Sequence, residues 1–211
     1  MLPNRYLTLI LLATSCLVLA VQAFAQAMPI PKPPIIGARS YLMIDGATGA
    51  ELASLNPDER LAPASLTKLM TAYAIFRALD EGRIALDDRV TVSEKAWRTP
   101  GSRMFIEVGS QVSVEELLLG MIVQSGNDAS VALAEHTAGS ETVFAEIMNQ
   151  YAAQLGMSAS SFRNATGLPD DDHYSTARDM ATLARAIITG FPQYYEWYSV
   201  RSYEYNDIDQ Q

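Results

Sequence analysis

The stretch APASLTKLMTAYAIF, residues 62–76, constrains the fold more than any other part of the chain. Apolar side chains recur in it at helical spacing and alanines fill much of the remaining circumference, so the pattern predicts a helix buried on nearly all sides. Pro63 suits the first turn, because the N–H that proline lacks would have no partner there. Gly82 is a natural stop. The chain has only three lysines, yet one of them, Lys68, stands at the start of this apolar helix.

The first residues have the composition of a secretory signal peptide. Arg5 precedes the uncharged run LTLILLATSCLVLAV, and Ala23 and Ala25 form an A-x-A pattern, so we expect cleavage near Ala25. An uncleaved membrane anchor is an alternative, but the run is short for a spanning helix of roughly 20 residues. A lipoprotein signal at Cys16 is a third. The expected location is the periplasm or the outer face of the cytoplasmic membrane.

After the predicted signal peptide, the chain has the composition of one globular domain. The 211 residues are 49% hydrophobic and 18% charged. The net charge of −9 becomes −10 on cleavage, because Arg5 is the one charged residue removed, and this charge makes nucleic acid an unfavourable partner. Cys16 is the sole cysteine, so the mature chain has no disulfide or thiol nucleophile. The predicted organisation is a signal peptide at residues 1–25, a proline-rich linker at 26–37 and a domain at 38–211 with a helical subdomain at about 90–190.

The order of predicted elements is strands, then helices, then a strand. A hairpin is expected from Ser40 to Leu55 around the turn GATG. Ser113 and Glu116 form a capping box for a helix that runs towards residue 125. Further helices are expected at about 129–136, 141–155 and 175–190, and a late strand at 200–205. This order indicates the α+β class.

Ser65 and Lys68 carry the chemistry that the sequence suggests. Residues three apart on a helix share a face one turn apart, so the two side chains can exchange a proton. Burial and the partial positive charge of a helix N-terminus both disfavour an ammonium group, which leaves Lys68 able to act as a base towards a serine nucleophile. Because S-x-x-K occurs by chance, a surface helix start is the alternative. The apolar flanks and the S-G-N sequence at 125–127, between two predicted helices, favour the catalytic interpretation.

The S-L-T-K of residues 65–68 together with this S-G-N resembles the motifs of the serine D-alanyl-D-alanine carboxypeptidases, the low-molecular-mass penicillin-binding proteins. The similarity extends from about Ala38 to Tyr205 and includes LLLGMIVQSGNDAS and YSTARDMA. It implies a penicillin-binding-protein or β-lactamase-like transpeptidase fold, in which an antiparallel sheet packs with helices beside an all-helical subdomain. It also implies removal of the terminal D-alanine from peptidoglycan pentapeptide through a penicillin-sensitive acyl-enzyme.

The resemblance implies a role for each motif residue. Ser65 would be the nucleophile and Lys68 its general base. Ser125 would relay the proton to the leaving amine, and Asn127 would bind and orient the substrate peptide. A serine and an asparagine on a loop that faces the helix would supply a proton path and a hydrogen-bond clamp. For these two residues taken alone, a plain turn between helices is the alternative.

Other polar residues suggest less. Asn164, Gly167 and Leu168, which match N-x-x-G-L, form either a loop that floors the cleft or a structural turn. His136 and His173 are far apart and lack a metal-ligand spacing, and the acidic run at 170–172 lacks the alternation of a calcium loop. No metal or cofactor is therefore predicted. The expected partners are peptidoglycan stem peptides and β-lactam antibiotics.

The third motif of the family, K-T-G or H-T-G, does not occur, since the T-G pairs follow Ala47, Ala165 and Ile188. In the family this motif holds the substrate carboxylate, on a strand that follows the point where this chain stops. We therefore expect an incomplete chain and sheet, with membrane association only through a missing C-terminal segment. A serine β-lactamase is an alternative, although no E-x-x-L-N follows the second motif. A non-catalytic cell-wall-binding remnant is another.

Overall fold

The computed structural model describes residues 36–210. The predicted signal peptide, residues 1–25, lies outside this part of the chain, as does the predicted linker, 26–37, except for its last two residues. The division of the chain into these segments and a catalytic domain stays a prediction.

The apolar segment around Lys68 forms the central helix, α1, Thr67–Asp80. Nine of its 14 residues are buried, which confirms the predicted burial on nearly all sides. Its first turn differs from the prediction, because Ala64–Leu66 forms a 3₁₀ turn and the α-helix begins only at Thr67. Such turns are frequent at helix N-termini. The helix ends before Gly82, whose φ of 67° suits glycine.

The other helices largely follow the predicted order. They are α2 Glu94–Arg98, α3 Val114–Val123, α4 Asn127–Ala138, α5 Glu141–Gln154, α6 Ala177–Gly190 and α7 Pro192–Tyr195, with a 3₁₀ turn at Glu196–Ser199. Helix α1 packs against four of them, α3 to α6. The capping box before α3 is confirmed, since the N–H of Glu116 donates to Ser113 Oγ and the N–H of Ser113 donates to Glu116 Oε2. Helix α4 begins two residues earlier than expected.

Six short strands form three antiparallel pairs in the described part of the chain. The strands are β1 Tyr41–Ile44, β2 Glu51–Leu55, β3 Arg89–Thr91, β4 Gln111–Ser113, β5 Tyr203–Tyr205 and β6 Ile208–Gln210, and each pairs with its neighbour as β1–β2, β3–β4 and β5–β6. The predicted β1–β2 hairpin and the α+β class are confirmed, and α6 packs on β1. The pair β3–β4 was not predicted, because three-residue strands are too short to show periodicity. The expected late strand is β5, which pairs with β6.

Among residues 36–210, no helix combines the length and the apolar character that crossing a bilayer requires.

A buried carboxylate fixes the irregular segment beside the start of α4. Asp128 is 1% exposed. Its two oxygens accept hydrogen bonds from the N–H groups of Met104, Phe105 and Ile106, at 3.0, 2.9 and 3.2 Å. Phe105 has a φ of 65°, a left-handed conformation that is costly for a bulky residue. The hydrogen bonds to Asp128 therefore offset local strain and hold this segment against α4.

We expect Asp128→Ala to lower the free energy of unfolding by about 3 kcal/mol or more, because it leaves several buried N–H groups without an acceptor. Urea unfolding followed by circular dichroism measures the change. Asp87→Ala, at an exposed aspartate, is the control and should cost less than about 0.5 kcal/mol. Similar losses in the two variants would contradict the anchoring role of Asp128.

Candidate active site

Ser65 and Lys68 lie close together where the 3₁₀ turn at Ala64–Leu66 leads into α1. Ser65 is exposed in the 3₁₀ turn, Lys68 is buried as the second residue of α1, and the Lys68 Nζ lies 3.4 Å from the Ser65 Oγ. A 3₁₀ turn has three residues per turn, which brings side chains three positions apart into line. The predicted neighbourhood of a serine hydroxyl and a lysine amine is therefore present.

The Lys68 amine has two further acceptors. It donates to the Oδ1 of Asn127 at 2.7 Å and to the backbone carbonyl oxygen of Thr166 at 2.9 Å. Lys68 is 7% exposed, and its burial lowers the pKa of the amine to about 8. Desolvation has this effect because it disfavours the charged form. With this pKa, about a tenth of the molecules carry a neutral lysine at pH 7.

Asn127 is the first residue of α4, and not part of a free loop as the sequence suggested. Its Nδ2 donates to the carbonyl oxygen of Pro100 at 2.6 Å, and its backbone N–H donates to the carbonyl oxygen of Ser102 at 2.7 Å. These bonds orient the side-chain oxygen towards Lys68. The amide thus has a partner on each side in this structure, and its role in binding substrate stays a prediction.

Ser125 lines a cavity together with Ser65 and Lys68. The cavity has a volume of about 150 Å³, and its other lining residues are Tyr198 and the apolar Leu66, Leu69, Met121 and Ile122. Ser125 has a φ of 57°, a left-handed conformation that costs about 1–3 kcal/mol for a residue with a side chain. In this conformation Ser125 lines the same cavity as Ser65 and Lys68. Its role as a proton relay stays a prediction.

Residues 164–168 form a structural turn that contacts Lys68 through one backbone group. That the turn floors the cleft stays a prediction. The Oδ1 of Asn164 accepts hydrogen bonds from the N–H groups of Thr166 and Gly167, at 3.1 and 2.7 Å, and its Nδ2 donates to the Leu168 carbonyl oxygen. The turn presents the Thr166 carbonyl oxygen to Lys68. The sequence could not reveal this contact, because a backbone carbonyl leaves no trace in residue type.

His173 is a buried residue that contacts the start of α1, a role that the sequence did not predict. Its Nδ1 accepts the N–H of Arg163 at 3.2 Å, so the neutral ring carries its proton on Nε2 and donates it to Thr67 Oγ1 at 2.8 Å. Burial lowers the pKa of His173, which favours this neutral form. His136 lies elsewhere, 3.4 Å from Asp88. Among residues 36–210, no three acidic, histidine or cysteine side chains form a group that could hold a metal ion.

Tyr198 is another site residue without a sequence signal. It belongs to the 3₁₀ turn at Glu196–Ser199 and lines the same cavity as Ser65. Burial raises the pKa of its hydroxyl, so the group stays protonated. An aromatic residue in a tyrosine-rich segment far along the chain carries no pattern that would place it there.

Together these groups can activate a hydroxyl. A lysine with a lowered pKa beside an exposed serine can take the serine proton, which generates a nucleophile at the mouth of a partly apolar cavity. The fold that carries these groups is similar to that of solved penicillin-binding proteins. The crystal structure of penicillin binding protein 5 from Haemophilus influenzae is 45% identical with a TM-score of 0.83, and the match covers 85% of this chain and 53% of that one. Fold and site therefore define a penicillin-binding-protein type of domain.

The family is defined by sequence comparison. The peptidase S11 family model, described as D-alanyl-D-alanine carboxypeptidase, matches residues 27–211, and the chain belongs to this family. It is 46% identical to the carboxypeptidase DacA of Haemophilus influenzae, over 84% of this chain and 46% of the relative. It is 43% identical to DacC of Escherichia coli, over 90% of this chain and 49% of the relative. The chain thus spans about half the length of these curated relatives. The resemblance inferred from the motifs is confirmed.

Gly167 is where the 164–168 turn contacts the 3₁₀ turn at Ala64–Leu66, which carries Ser65. A Cβ on Gly167 would collide with the carbonyl group of Ala64, and the φ of 85° already disfavours a side chain. We expect Gly167→Ala to lower the free energy of unfolding by about 2–4 kcal/mol, through strain and overpacking together.

Urea unfolding measures this loss against a matched control. Gly139 has a similar φ of 78°, but a Cβ there meets nothing within 4 Å. Gly139→Ala should therefore cost only the backbone strain, about 1 kcal/mol. Equal losses in the two variants would show that the contact between the two turns has no energetic weight.

Proposed function

We propose that this chain carries the acylation site of a serine-type D-Ala-D-Ala carboxypeptidase that removes the terminal D-alanine from peptidoglycan pentapeptide. The observation that carries the proposal is the buried Lys68 amine, with its lowered pKa, 3.4 Å from the exposed hydroxyl of Ser65. Membership of the D-alanyl-D-alanine carboxypeptidase family supports the substrate class. The relatives are about twice as long as this chain, so the carboxypeptidase activity of a whole protein of that length is proposed here as well.

The proposed reaction begins with proton transfer. Neutral Lys68 takes the proton of Ser65, whose oxygen attacks the carbonyl carbon of the penultimate D-alanine. The tetrahedral intermediate collapses by breaking the peptide bond. The leaving amine receives a proton through Ser125, and D-alanine departs. Water then hydrolyses the ester of Ser65, which releases the shortened stem peptide and restores the hydroxyl.

The same attack accounts for the proposed sensitivity to β-lactams. When Ser65 attacks a β-lactam carbonyl, the amide bond of the ring opens but the leaving nitrogen remains tethered to the acyl group. Penicillin-Binding Protein D2 from Listeria monocytogenes has been solved in an ampicillin bound form, and it is 26% identical to this chain with a TM-score of 0.76. That likeness supports β-lactams as ligands here.

The proposed location is the periplasm or the outer face of the cytoplasmic membrane. It is supported by the signal-peptide composition of residues 1–25 and by a substrate class that belongs to the cell wall.

We expect a fluorescent penicillin to label the wild-type chain covalently and to leave Ser65→Ala unlabelled, because the ester needs the Ser65 oxygen. Fluorescence of the denatured protein on a gel measures this. Ser158→Ala, at an exposed serine outside the cavity, should be labelled like the wild type. Label on Ser65→Ala would reject the nucleophile, and a folded wild type without label would reject acylation by this chain.

The rate of this labelling should rise with pH. Lys68 accepts a proton only when neutral, and its pKa of about 8 lies below the ordinary value. The rate is therefore expected to increase about fivefold from pH 7 to pH 8 and to level off above about pH 9. Time courses at each pH measure it. Lys68→Arg, which stays charged, should lose at least about 100-fold. A flat or falling profile in the wild type would exclude Lys68 as the base.

A further inference from the structure

The carbonyl oxygen of Thr166 touches the Lys68 amine, so the position of the 164–168 turn bears directly on the site. Within the turn, Asn164 accepts hydrogen bonds from the two N–H groups that follow. These bonds are internal, so they set the shape of the turn but do not determine where it lies relative to α1. Contacts from outside the turn must do that.

Ala165, the residue before Thr166, is held by side chains from two helices. Its carbonyl oxygen accepts the hydroxyl proton of Thr71 at 2.7 Å, and Thr71 lies on α1 together with Lys68. Its N–H donates to the Oε1 of Glu141 at 3.0 Å, and Glu141 is the first residue of α5. Glu141 thus connects the turn to a helix other than the one that carries the lysine.

Glu141 does more than an acidic residue at a helix start ordinarily does. Such residues interact favourably with the helix dipole from an exposed position, whereas Glu141 is only 9% exposed. Ser140 already caps the helix by accepting the N–H of Val143. The second oxygen of Glu141 pairs with the Lys95 amine at 2.7 Å. That ion pair offsets the cost of the buried charge and leaves Oε1 directed at Ala165.

We propose that Glu141 is a positioning residue for Lys68: by accepting the Ala165 N–H, it holds the Thr166 carbonyl against the lysine amine and keeps water away from it. The importance of this contact for catalysis rests on the proposed function, but the contact itself can be tested without turnover. Two effects of Glu141 on the pKa of Lys68 are to be separated. Burial lowers that pKa, so a turn that excludes water keeps the pKa low. A nearby negative charge would raise it, but the carboxylate of Glu141 is paired with the Lys95 amine.

The three lysines of the chain make the two effects separable by NMR. Lysine-selective ¹³C labelling gives one ε-carbon signal each for Lys32, Lys68 and Lys95, and Lys68→Arg identifies the signal of Lys68. Glu141→Asp keeps the charge but shortens the reach, so the turn loosens and water reaches the amine. Water replaces the Thr166 carbonyl oxygen as an acceptor, so the gain in hydration outweighs the loss of that bond, and we expect the titration midpoint of Lys68 to rise by about one unit. Glu141→Gln keeps an oxygen acceptor at full reach and removes the charge, so the midpoint should stay or fall.

Glu146→Asp is the matched control, because Glu146 is exposed on the same helix, and it should leave the Lys68 midpoint unchanged. An unchanged midpoint in Glu141→Asp would overturn the proposal, as would equal rises in Glu141→Asp and Glu141→Gln. Circular dichroism verifies that each variant is folded. If Glu141→Asp does not fold, the nearly isosteric Glu141→Gln still decides, since a rise of its midpoint overturns the proposal.

Labelling by a fluorescent penicillin separates this proposal from the proposed function. Glu141→Asp should lose about fivefold in labelling rate at pH 8, because a one-unit rise from a pKa of about 8 lowers the fraction of molecules with a neutral lysine from about a half to about a tenth. Glu141→Gln should not lose rate. If neither the wild type nor any variant is labelled but the Lys68 midpoints shift as expected, the proposed function fails and the positioning role stands. If labelling is normal and the midpoints do not move, the positioning role fails alone.

Discussion

The buried amine of Lys68 is the group on which the rest of the site depends. Taking an ammonium group out of water costs several kcal/mol, so the surrounding structure must offer it acceptors. They come from three separate parts of the fold: Ser65 in the 3₁₀ turn, Asn127 at the start of α4, and the Thr166 carbonyl. The low pKa of the amine and its reach to the serine are therefore set together, since both follow from how these three segments meet.

Two irregular segments are held by buried acidic side chains. Asp128 accepts the N–H groups of residues 104–106, and Glu141 accepts that of Ala165. Buried N–H groups outside helices and sheets need acceptors, and a carboxylate can serve several at once. Both acids lie in the first turn of a helix, where the helix dipole also favours negative charge. Asp128 follows Asn127 in the chain and Glu141 binds the residue before Thr166, and Asn127 and Thr166 both contact Lys68.

The sequence predicted most where neighbouring residues decide. The burial of α1, the capping box of Ser113 and Glu116, and the β1–β2 hairpin follow from local patterns and are confirmed. It predicted less where distant residues decide. The pair β3–β4 is too short to show a period, and nothing local connects His173 with Thr67, which lies 106 residues away. Tyr198 reaches the cavity only because the chain returns there after α7.

By itself, the sequence determined that Ser65 and Lys68 lie together, because a three-residue spacing at a helix start brings two side chains into contact whatever the rest of the chain does. It also determined the family, through motifs that are local strings. Only the tertiary structure decided what surrounds the amine. Its other acceptors lie 59 and 98 residues further along the chain. Burial is a property of how those segments pack, so the lowered pKa of Lys68 exists only in the folded domain.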